Sequence, residues 1–548
     1  MLCPYEESVN KILSIPYTHL SDFSRSWLAV TSQSAPPDLY VRAPASIDAC
    51  RAAAEETLRV SRPWKQLADL LERSGQRCGV PQETLARLSA LSEGKAVMVV
   101  TGQQVGYLGG PLYTFLKAYH ATRLAQSLER ELQRPVLACF WLEGEDHDLE
   151  EVRNAHYLAR EGELRTLRFS PDKEIAGFEV GRYHVDASEH LEELAQALDC
   201  PHEESLALLR DSYAQTTLSD GMGKLLARTL GGRGLFVIEG MEPELKEMAA
   251  PLWGKVIARG RGLAEILEER STELRAGGWN APLSPTRDAQ LFYLCGEDHV
   301  RCALTYDGQL RHPSGNIEPH SWDTLASSLR NRPSWVSPKA ALRPLYQDFV
   351  LPAVAYIAGP GELDYHAQLA PFYKELEVPA PVLFPRLSAT ILDHRTARNV
   401  EKLGLPLARL LSDEPAALQR VLLAEQDESR TAETFAEAKR RIEETFAHLK
   451  TILSALDSTL EGATQTSAGK ALQPLEQLRE KAQRALKQKH STALARLNKG
   501  LAVLHPRGEA AERVFSTGYY LAQYGLERLL NALDDLPVEA HEHNVIEL

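Results

Sequence analysis

The sequence predicts an α/β protein with an open parallel β-sheet core, long insertions between its strands, and an antiparallel α-helical coiled coil. Five short apolar runs lack the alternation of a half-exposed strand, which is typical of strands covered on both faces. The first two runs flank a segment with apolar residues at helical spacing, a β-α-β pattern. Beyond about Glu433, apolar residues recur in alternating steps of three and four, as in a coiled coil.

The five predicted strands end in glycine-rich or polar turns. The strands are expected at 96–101, 135–142, 234–239, 350–358 and 381–384. In an open parallel sheet, ligands bind beyond the carboxyl ends of the strands. We therefore expect the residues that bind ligands or take part in catalysis to lie in the turns after these runs.

The predicted coiled coil has a seam of seven apolar residues between Phe435 and Leu460. The segment Gly462–Gly469 is predicted to be the turn of a helical hairpin. The second helix shifts phase between Leu486 and Leu494, so pairing within the hairpin cannot stay in register. We therefore expect the leftover apolar surface, including Leu449 and Leu453, to form a homodimer.

The chain is long enough for several structural units, and we divide it by these patterns. The predicted divisions are a mainly helical segment at 1–90, core at 91–150, an insertion at 151–230, a core strand at 231–245, a second, partly β insertion at 246–345, core at 346–390, the coiled coil at 391–505, and a helix docking on the core at 506–548.

Composition excludes several classes of protein. The net charge of -14 is a poor match for nucleic-acid binding. No apolar run is long enough to cross a bilayer, and the N-terminus lacks the pattern of a signal peptide, so we expect a soluble cytoplasmic protein. The seven cysteines are scattered without close pairs. We expect reduced thiols and no zinc site.

The segment after the first strand, TGQQVGYLGGP, is a candidate ligand-binding loop because glycines let a ligand approach the backbone. Its candidate binding residues are Gly102, Gln103, Gln104, Gly109, Gly110 and, just beyond it, Tyr113. The segment matches neither the dinucleotide-binding nor the P-loop pattern. The competing interpretation is a tight turn between strand and helix.

The segment after the second strand, EGEDHD, concentrates carboxylates and one imidazole at a strand end. Such a cluster could bind a cation, hold an ammonium group or act as a general base. Glu145, Asp146 and His147 are the candidate catalytic residues, and Asp148 is a candidate binding residue. The competing interpretation is a solvated acidic surface.

Two later strand ends add candidate binding residues. Gly359, Gly361, Glu362 and Tyr365 follow the fourth strand, although helix capping alone would explain an acidic residue there. Arg386 and Ser388 follow the fifth strand, where a guanidinium would suit a phosphate or carboxylate. The alternative for this arginine is an ordinary salt bridge.

These segments together resemble one known family. The segments TGQQVGYLGGPLYTFLKAYHA, FWLEGEDHDLEEV, LRPLYQDFVLPAVAYIAGPGELDYHAQL and VLFPRLS, with the late LHPRGEAAERV, are similar in content and order to BshC proteins of bacillithiol synthesis. The resemblance implies a Rossmann-like core, similar to those of class I nucleotidyltransferases and aminoacyl-tRNA synthetases, with connecting-peptide insertions. The class I signatures themselves are replaced: residues 109–113 stand where H-x-G-H is expected, and no K-M-S-K-S loop follows Arg386.

The resemblance also implies an activity: an amide bond between the cysteine carboxylate and the amine of glucosaminyl malate. Activation of a carboxylate usually needs ATP, so ATP or ADP is the expected ligand, with magnesium only as its companion. Two alternatives stay open. One is a nucleotide-dependent ligase for another amino acid and amine, and the other is a non-catalytic scaffold whose working part is the coiled coil.

Overall fold

The structure is a computed structural model that describes residues 11–21, 23–284, 288–297, 299–425 and 430–548. Contacts divide the chain into two compact units. The larger runs up to Ile391 and resumes over Glu509–Leu548, and the smaller is Leu392–Gly508. Among the described residues, every helix is too short or too polar to cross a membrane.

The larger unit begins with one strand and five helices. These elements are β1 (Lys11–Pro16), α1 (Arg25–Thr31), α2 (Ile47–Arg59), α3 (Trp64–Cys78), α4 (Gln82–Leu85) and α5 (Leu88–Ser92). Ser24 and Ser46 begin α1 and α2, because each side chain accepts a hydrogen bond from a free backbone N–H of the first turn.

The first β-α-β unit follows, and then an insertion before the third core strand. The unit consists of β2 (Val97–Gln104), α6 (Leu112–Leu132) and β3 (Val136–Glu143). The insertion and the strand after it comprise α7 (Leu149–Val152), β4 (Asn154–Leu158), β5 (Leu164–Arg168), β6 (His184–Val185), α8 (Ser188–Ala197), α9 (Glu203–Tyr213), β7 (Thr216–Thr217), α10 (Leu218–Leu230) and β8 (Leu235–Glu239).

A second insertion separates β8 from the last core strands. It comprises α11 (Pro243–Met248), α12 (Ala250–Arg259), α13 (Gly262–Ala276), β9 (Asp288–Cys295), β10 (Val300–Thr305), β11 (Gln309–Arg311), β12 (Ile317–Pro319), α14 (Trp322–Asn331) and β13 (Val336–Pro338). The chain then forms α15 (Arg343–Val350), β14 (Ala353–Ala358), α16 (Pro360–Glu375), β15 (Val382–Pro385) and β16 (Ala389–Leu392). The five strands of the insertion form one sheet in the order β12-β11-β10-β9-β13.

The core sheet has the order β15-β14-β2-β3-β8, and every pair in it is parallel. The predicted fold class is therefore confirmed. The fourth predicted strand started too early, because Val350 belongs to α15 and β14 begins at Ala353. All five strands run in the same direction, so their carboxyl ends form one edge, with Gln104 beside Glu143 and Ala358 beside Pro385.

The smaller unit is helical and includes a long antiparallel hairpin. Its helices are α17 (His394–Glu401), α18 (Leu407–Leu410), α19 (Pro415–Glu425), α20 (Thr431–Leu456), α21 (Leu460–Lys489) and α22 (Ser491–Leu504). The prediction of a turn at Gly462–Gly469 was wrong, since that segment lies inside α21. The turn is at 457–459, where Asp457 accepts hydrogen bonds from the backbone N–H and hydroxyl of Thr459. The predicted phase shift coincides with the break at His490 between α21 and α22.

The C-terminal segment returns to the larger unit. It forms α23 (Ala511–Val514), α24 (Thr517–Tyr524), α25 (Leu526–Asp534) and β17 (Glu542–Glu547). The single helical pattern expected around 513–533 is broken at Gly525, whose φ of 81° favours glycine. A strand was not expected there, yet β17 pairs with β1 in a sheet of order β1-β17-β16.

Candidate active site

A cleft of about 560 Å³ opens at the carboxyl edge of the core sheet. Its walls come from the ends of β2, β3 and β14, the starts of α6, α15 and α16, and Arg386 just after β15. The cleft is lined by Gly102, Gln103, Gln104, Tyr113, Lys117, Trp141, Glu143, Asp146, Glu151, Pro282, Leu283, Ala340, Arg343, Pro344, Gln347, Tyr356, Gly359, Pro360, Gly361, Glu362, Tyr365, Arg386 and Arg513. This is the place where parallel α/β sheets bind ligands.

Most residues predicted from the sequence meet in this cleft, although they come from four separate segments. Those that line it are Gly102, Gln103, Gln104, Tyr113, Asp146, Gly359, Gly361, Glu362, Tyr365 and Arg386. The strand topology accounts for the convergence, because each segment lies at the carboxyl end of a strand of the same parallel sheet, with Gly102, Gln103 and Gln104 still inside β2. The roles of the individual residues stay predictions.

Gly109 and Gly110 do not line the cleft, contrary to the expectation for this loop. Both have positive φ, 85° and 65°. The N–H of Gly109 donates to the hydroxyl of Tyr213 at 2.8 Å. A Cβ on Gly109 would lie 2.8 Å from a methyl of Leu225 and 2.9 Å from Thr517. These two glycines therefore serve a tight, closely packed turn, as the competing interpretation stated.

Glu145 lies outside the cleft lining, in a buried ion pair. Lys246 Nζ is 2.7 Å from one of its carboxylate oxygens, and Ser337 donates to the other at 2.6 Å. Both charged side chains are almost completely buried, with exposures of 1% and 2%. The contacts of Glu145 therefore join the first core strands to the second insertion, and this role is structural.

His147, Asp148 and Ser388 also lie outside the lining. Arg301 donates to His147 Nδ1 at 3.3 Å, and burial together with the charge of Arg301 lowers the pKa of this imidazole. Asp148 caps α7 by accepting from the N–H of Glu151. The hydroxyl of Ser388 bonds to Glu512 and His543, both at 2.8 Å.

Asp146 is held at the rim of the cleft by a network of donors. Gln104 Nε2 donates to its carboxylate at 2.7 Å, and guanidinium nitrogens of Arg343 and Arg301 lie at 3.7 and 3.9 Å. Burial alone would raise the pKa of Asp146, but Arg343, the bond from Gln104 and Arg301 bring it below its usual value. The side chain is therefore ionised at neutral pH and presents a fixed negative charge.

The pKa of Glu143, the last residue of β3, shifts in the direction opposite to that of Asp146. Burial raises its pKa, although Arg343 lies 3.5 Å away and opposes the effect. Trp141 Nε1 donates to one carboxylate oxygen at 3.3 Å, while the other oxygen accepts no hydrogen bond from the described residues. The sequence analysis placed Glu143 in the acidic run but did not select it. Its position on the strand, with the side chain facing the cleft, could be read only from the structure.

A buried ion pair forms one wall of the cleft. Lys117 Nζ lies 2.7 Å from Glu362, whose carboxylate also accepts from the hydroxyls of Tyr356 at 2.6 Å and Tyr365 at 3.3 Å. The N–H of Gly359 donates to the same carboxylate at 2.6 Å. Glu362 is thus saturated with donors. Lys117 was missed because a lysine within an amphipathic helix pattern carries no signal of burial.

Arg386 lines the cleft, but its charge is already compensated. Its guanidinium lies 2.6 Å from Glu512 Oε1, and only 3% and 2% of these side chains are exposed. The alternative of a salt bridge therefore describes its contacts, except that the bridge is buried. Arg343 is 28% exposed and Arg513 53% exposed, so they present more accessible positive charge to an anion.

Family comparisons agree with this architecture. Residues 11–387 match the model described as "Bacillithiol biosynthesis BshC, N-terminal Rossmann-like domain". Residues 389–548 match "Bacillithiol biosynthesis BshC, C-terminal coiled-coil domain".

Similar curated proteins carry the name "Putative cysteine ligase BshC". The protein of Koribacter versatilis is 31% identical over 88% of this chain and 89% of its own length. That of Salinibacter ruber is 29% identical over 94% of both chains. That of Geobacillus thermodenitrificans is 30% identical over 84% of this chain and 86% of its own. Because the two family models match nearly the whole sequence, this chain belongs to the bacillithiol biosynthesis BshC family.

Proposed function

We propose that this protein is a cytoplasmic cysteine ligase of bacillithiol biosynthesis, which joins the cysteine carboxylate to the amine of glucosaminyl malate using ATP. The names of the similar proteins support the ligase activity. The structural observation that carries the proposal is the mixed charge of the cleft. Four acidic and four basic side chains line it: Glu143, Asp146, Glu151, Glu362, Lys117, Arg343, Arg386 and Arg513.

This charge pattern suits substrates that carry both signs. Cysteine has an ammonium and a carboxylate group, and glucosaminyl malate has an amine and two carboxylates. In this proposal, the ionised Asp146 would hold an ammonium group, and Arg343 and Arg513 would bind carboxylate or phosphate oxygens. The carboxylates of Asp146 and Glu151 would also suit a magnesium ion brought in with the nucleotide.

Glu143 is the best-placed proton acceptor. A carboxylate with a raised pKa is a stronger base than an ordinary glutamate, and the oxygen that accepts no hydrogen bond from the described residues is the one that lies 3.5 Å from Arg343. In the proposed step, the amine nitrogen attacks the activated carbonyl carbon of cysteine. The C–N bond forms, the C–O bond to the phosphate-containing leaving group breaks, and the amine proton passes to Glu143.

Product analysis by mass spectrometry tests the proposal. Purified protein is incubated with cysteine, glucosaminyl malate and magnesium ATP, and we expect a product with the summed substrate mass minus one water. Release of AMP or of ADP would identify an adenylate or an acyl phosphate intermediate. Serine in place of cysteine is the matched substrate control.

Two results would contradict the proposal. One is wild-type protein that forms no product with any nucleoside triphosphate. The other is equal product from serine. A Glu143→Gln variant tests the proton acceptor separately, since it should lower turnover while substrate binding is kept.

A further inference from the structure

Three side chains with metal-binding atoms meet in the antiparallel sheet of the second insertion, and none of them lines the cleft. They are Cys295 at the end of β9, Cys302 in β10, and His312 just after β11. Their sulfur and nitrogen atoms all lie within 4.8 Å of one another. Cys302 Sγ is 3.1 Å from His312 Nδ1.

Strand pairing explains why these residues share one face. Val300 pairs with Cys295, and Cys302 lies two residues beyond Val300, so both cysteines point to the same side. Ala303 pairs with Arg311, which places His312 opposite Cys302. A register shift of one residue would turn a ligand to the other face.

The histidine is already oriented for coordination. Its Nε2 lies 3.0 Å from Glu318 Oε1. A proton on Nε2 satisfies that contact and leaves the Nδ1 lone pair directed at the thiols. Metal-ligating histidines in proteins are commonly oriented by a carboxylate in this way.

We propose that Cys295, Cys302 and His312 bind one zinc ion. Two thiolates and one imidazole are a donor set that zinc prefers, and a tetrahedral ion would complete its coordination with water. Binding would release the two thiol protons to solvent. The sequence predicted no such site because the cysteines are seven positions apart, but the β-hairpin provides the proximity that a short C-x-x-C spacing provides elsewhere.

The position of the site suggests what the ion does. Arg301 precedes Cys302 in β10, so its side chain points to the opposite face of the sheet. There it donates to Ser337 Oγ at 3.1 Å and lies 3.9 Å from Asp146. A zinc ion holding β9, β10 and β11 together would fix the strand that brings Arg301 to the rim of the cleft.

Metal analysis of the full-length protein tests the proposal. Protein purified under reducing conditions without chelator and supplied with zinc should retain about one ion per chain after gel filtration. Cys302→Ser and His312→Ala should each lose most of it. Cys200→Ser is the matched control, since it removes a partly exposed cysteine in another region and should retain the ion.

X-ray absorption spectroscopy needs only the zinc-loaded wild type, so its result does not depend on whether the variants fold. We expect about two sulfur neighbours around the zinc ion. Three results would overturn the proposal: wild-type protein that retains no zinc, a zinc signal without sulfur neighbours, or equal zinc retention in the Cys302→Ser variant. Activity is not needed for any of these measurements, so they stand apart from the proposed ligase function.

Discussion

The charged residues of the cleft and those of the α20–α21 hairpin are held in contrasting ways. In the larger unit, Lys117–Glu362 and Arg386–Glu512 are buried pairs whose partners lie more than a hundred residues apart. In the hairpin, Arg440 pairs with Glu437 and Glu444, one turn away on the same helix, and all three side chains are at least 40% exposed. The difference implies that removing a single charge changes the free energy of unfolding greatly in the cleft and little in the hairpin.

Lys117→Met is expected to have the largest effect. It leaves Glu362, whose side chain is only 18% exposed, without its counter-charge, which should lower the free energy of unfolding by about 3–5 kcal/mol. Arg440→Met removes an exposed charge with two partners and should leave the free energy of unfolding nearly unchanged. All seven tryptophans lie in the larger unit, so their fluorescence follows unfolding of the first variant, and far-UV circular dichroism follows the second.

A double variant makes the comparison sharper. If the cost arises from the uncompensated carboxylate, Lys117→Met combined with Glu362→Gln should be more stable than Lys117→Met alone. Equal losses of stability for Lys117→Met and Arg440→Met would contradict the proposed difference between the cleft and the hairpin.

Asp146→Asn is expected to lower turnover by about 100-fold, because the fixed negative charge at the rim is lost. His147→Ala is the neighbouring comparison. Its side chain is 48% exposed and does not line the cleft, so we expect a smaller loss. Product formation by mass spectrometry measures both. A larger loss of turnover for His147→Ala than for Asp146→Asn would indicate that the imidazole, and not the carboxylate, has the catalytic role.

The contrast also explains what could be predicted from the sequence. The core strands and the coiled-coil seam follow local patterns of apolar residues, and both were recognised. Partnerships across the fold leave no local pattern, so the compensation of Arg386 by Glu512 could not be predicted. Strand β17 was missed for a related reason, because its pairing partner β1 lies at the other end of the chain. Glu145 was selected for its charge, and its burial against Lys246 depends on an insertion a hundred residues away.

Leu449→Glu with Leu453→Glu tests the hairpin as a dimer interface. Within α20, which is described throughout, no side chain is fully buried, and Leu449 and Leu456 are 39% and 79% exposed. A second copy would cover this seam, with each leucine contributing about 1–2 kcal/mol to association. We expect light scattering to show a wild-type dimer and a variant monomer. Wild-type protein that is monomeric at micromolar concentration would contradict the prediction.

Gly462→Ala and Gly469→Ala should have the smallest effect, and its sign decides whether this segment is a helix or a turn. Both glycines lie inside α21, and a Cβ at either would meet no atom within 4 Å. Alanine lowers the entropy cost of a helix interior, so each change should stabilise α21 by about 0.5–1 kcal/mol. Amide hydrogen exchange across α21 should then slow by about 2- to 5-fold. Gly404→Ala is the matched control in the same unit. A Cβ there would also meet no atom within 4 Å, but Gly404 has a φ of 70°, so alanine at this position should destabilise the protein. Faster exchange in the Gly462 and Gly469 variants would instead show that the segment is a turn, and the hairpin would then have to be shorter than α20 and α21 imply.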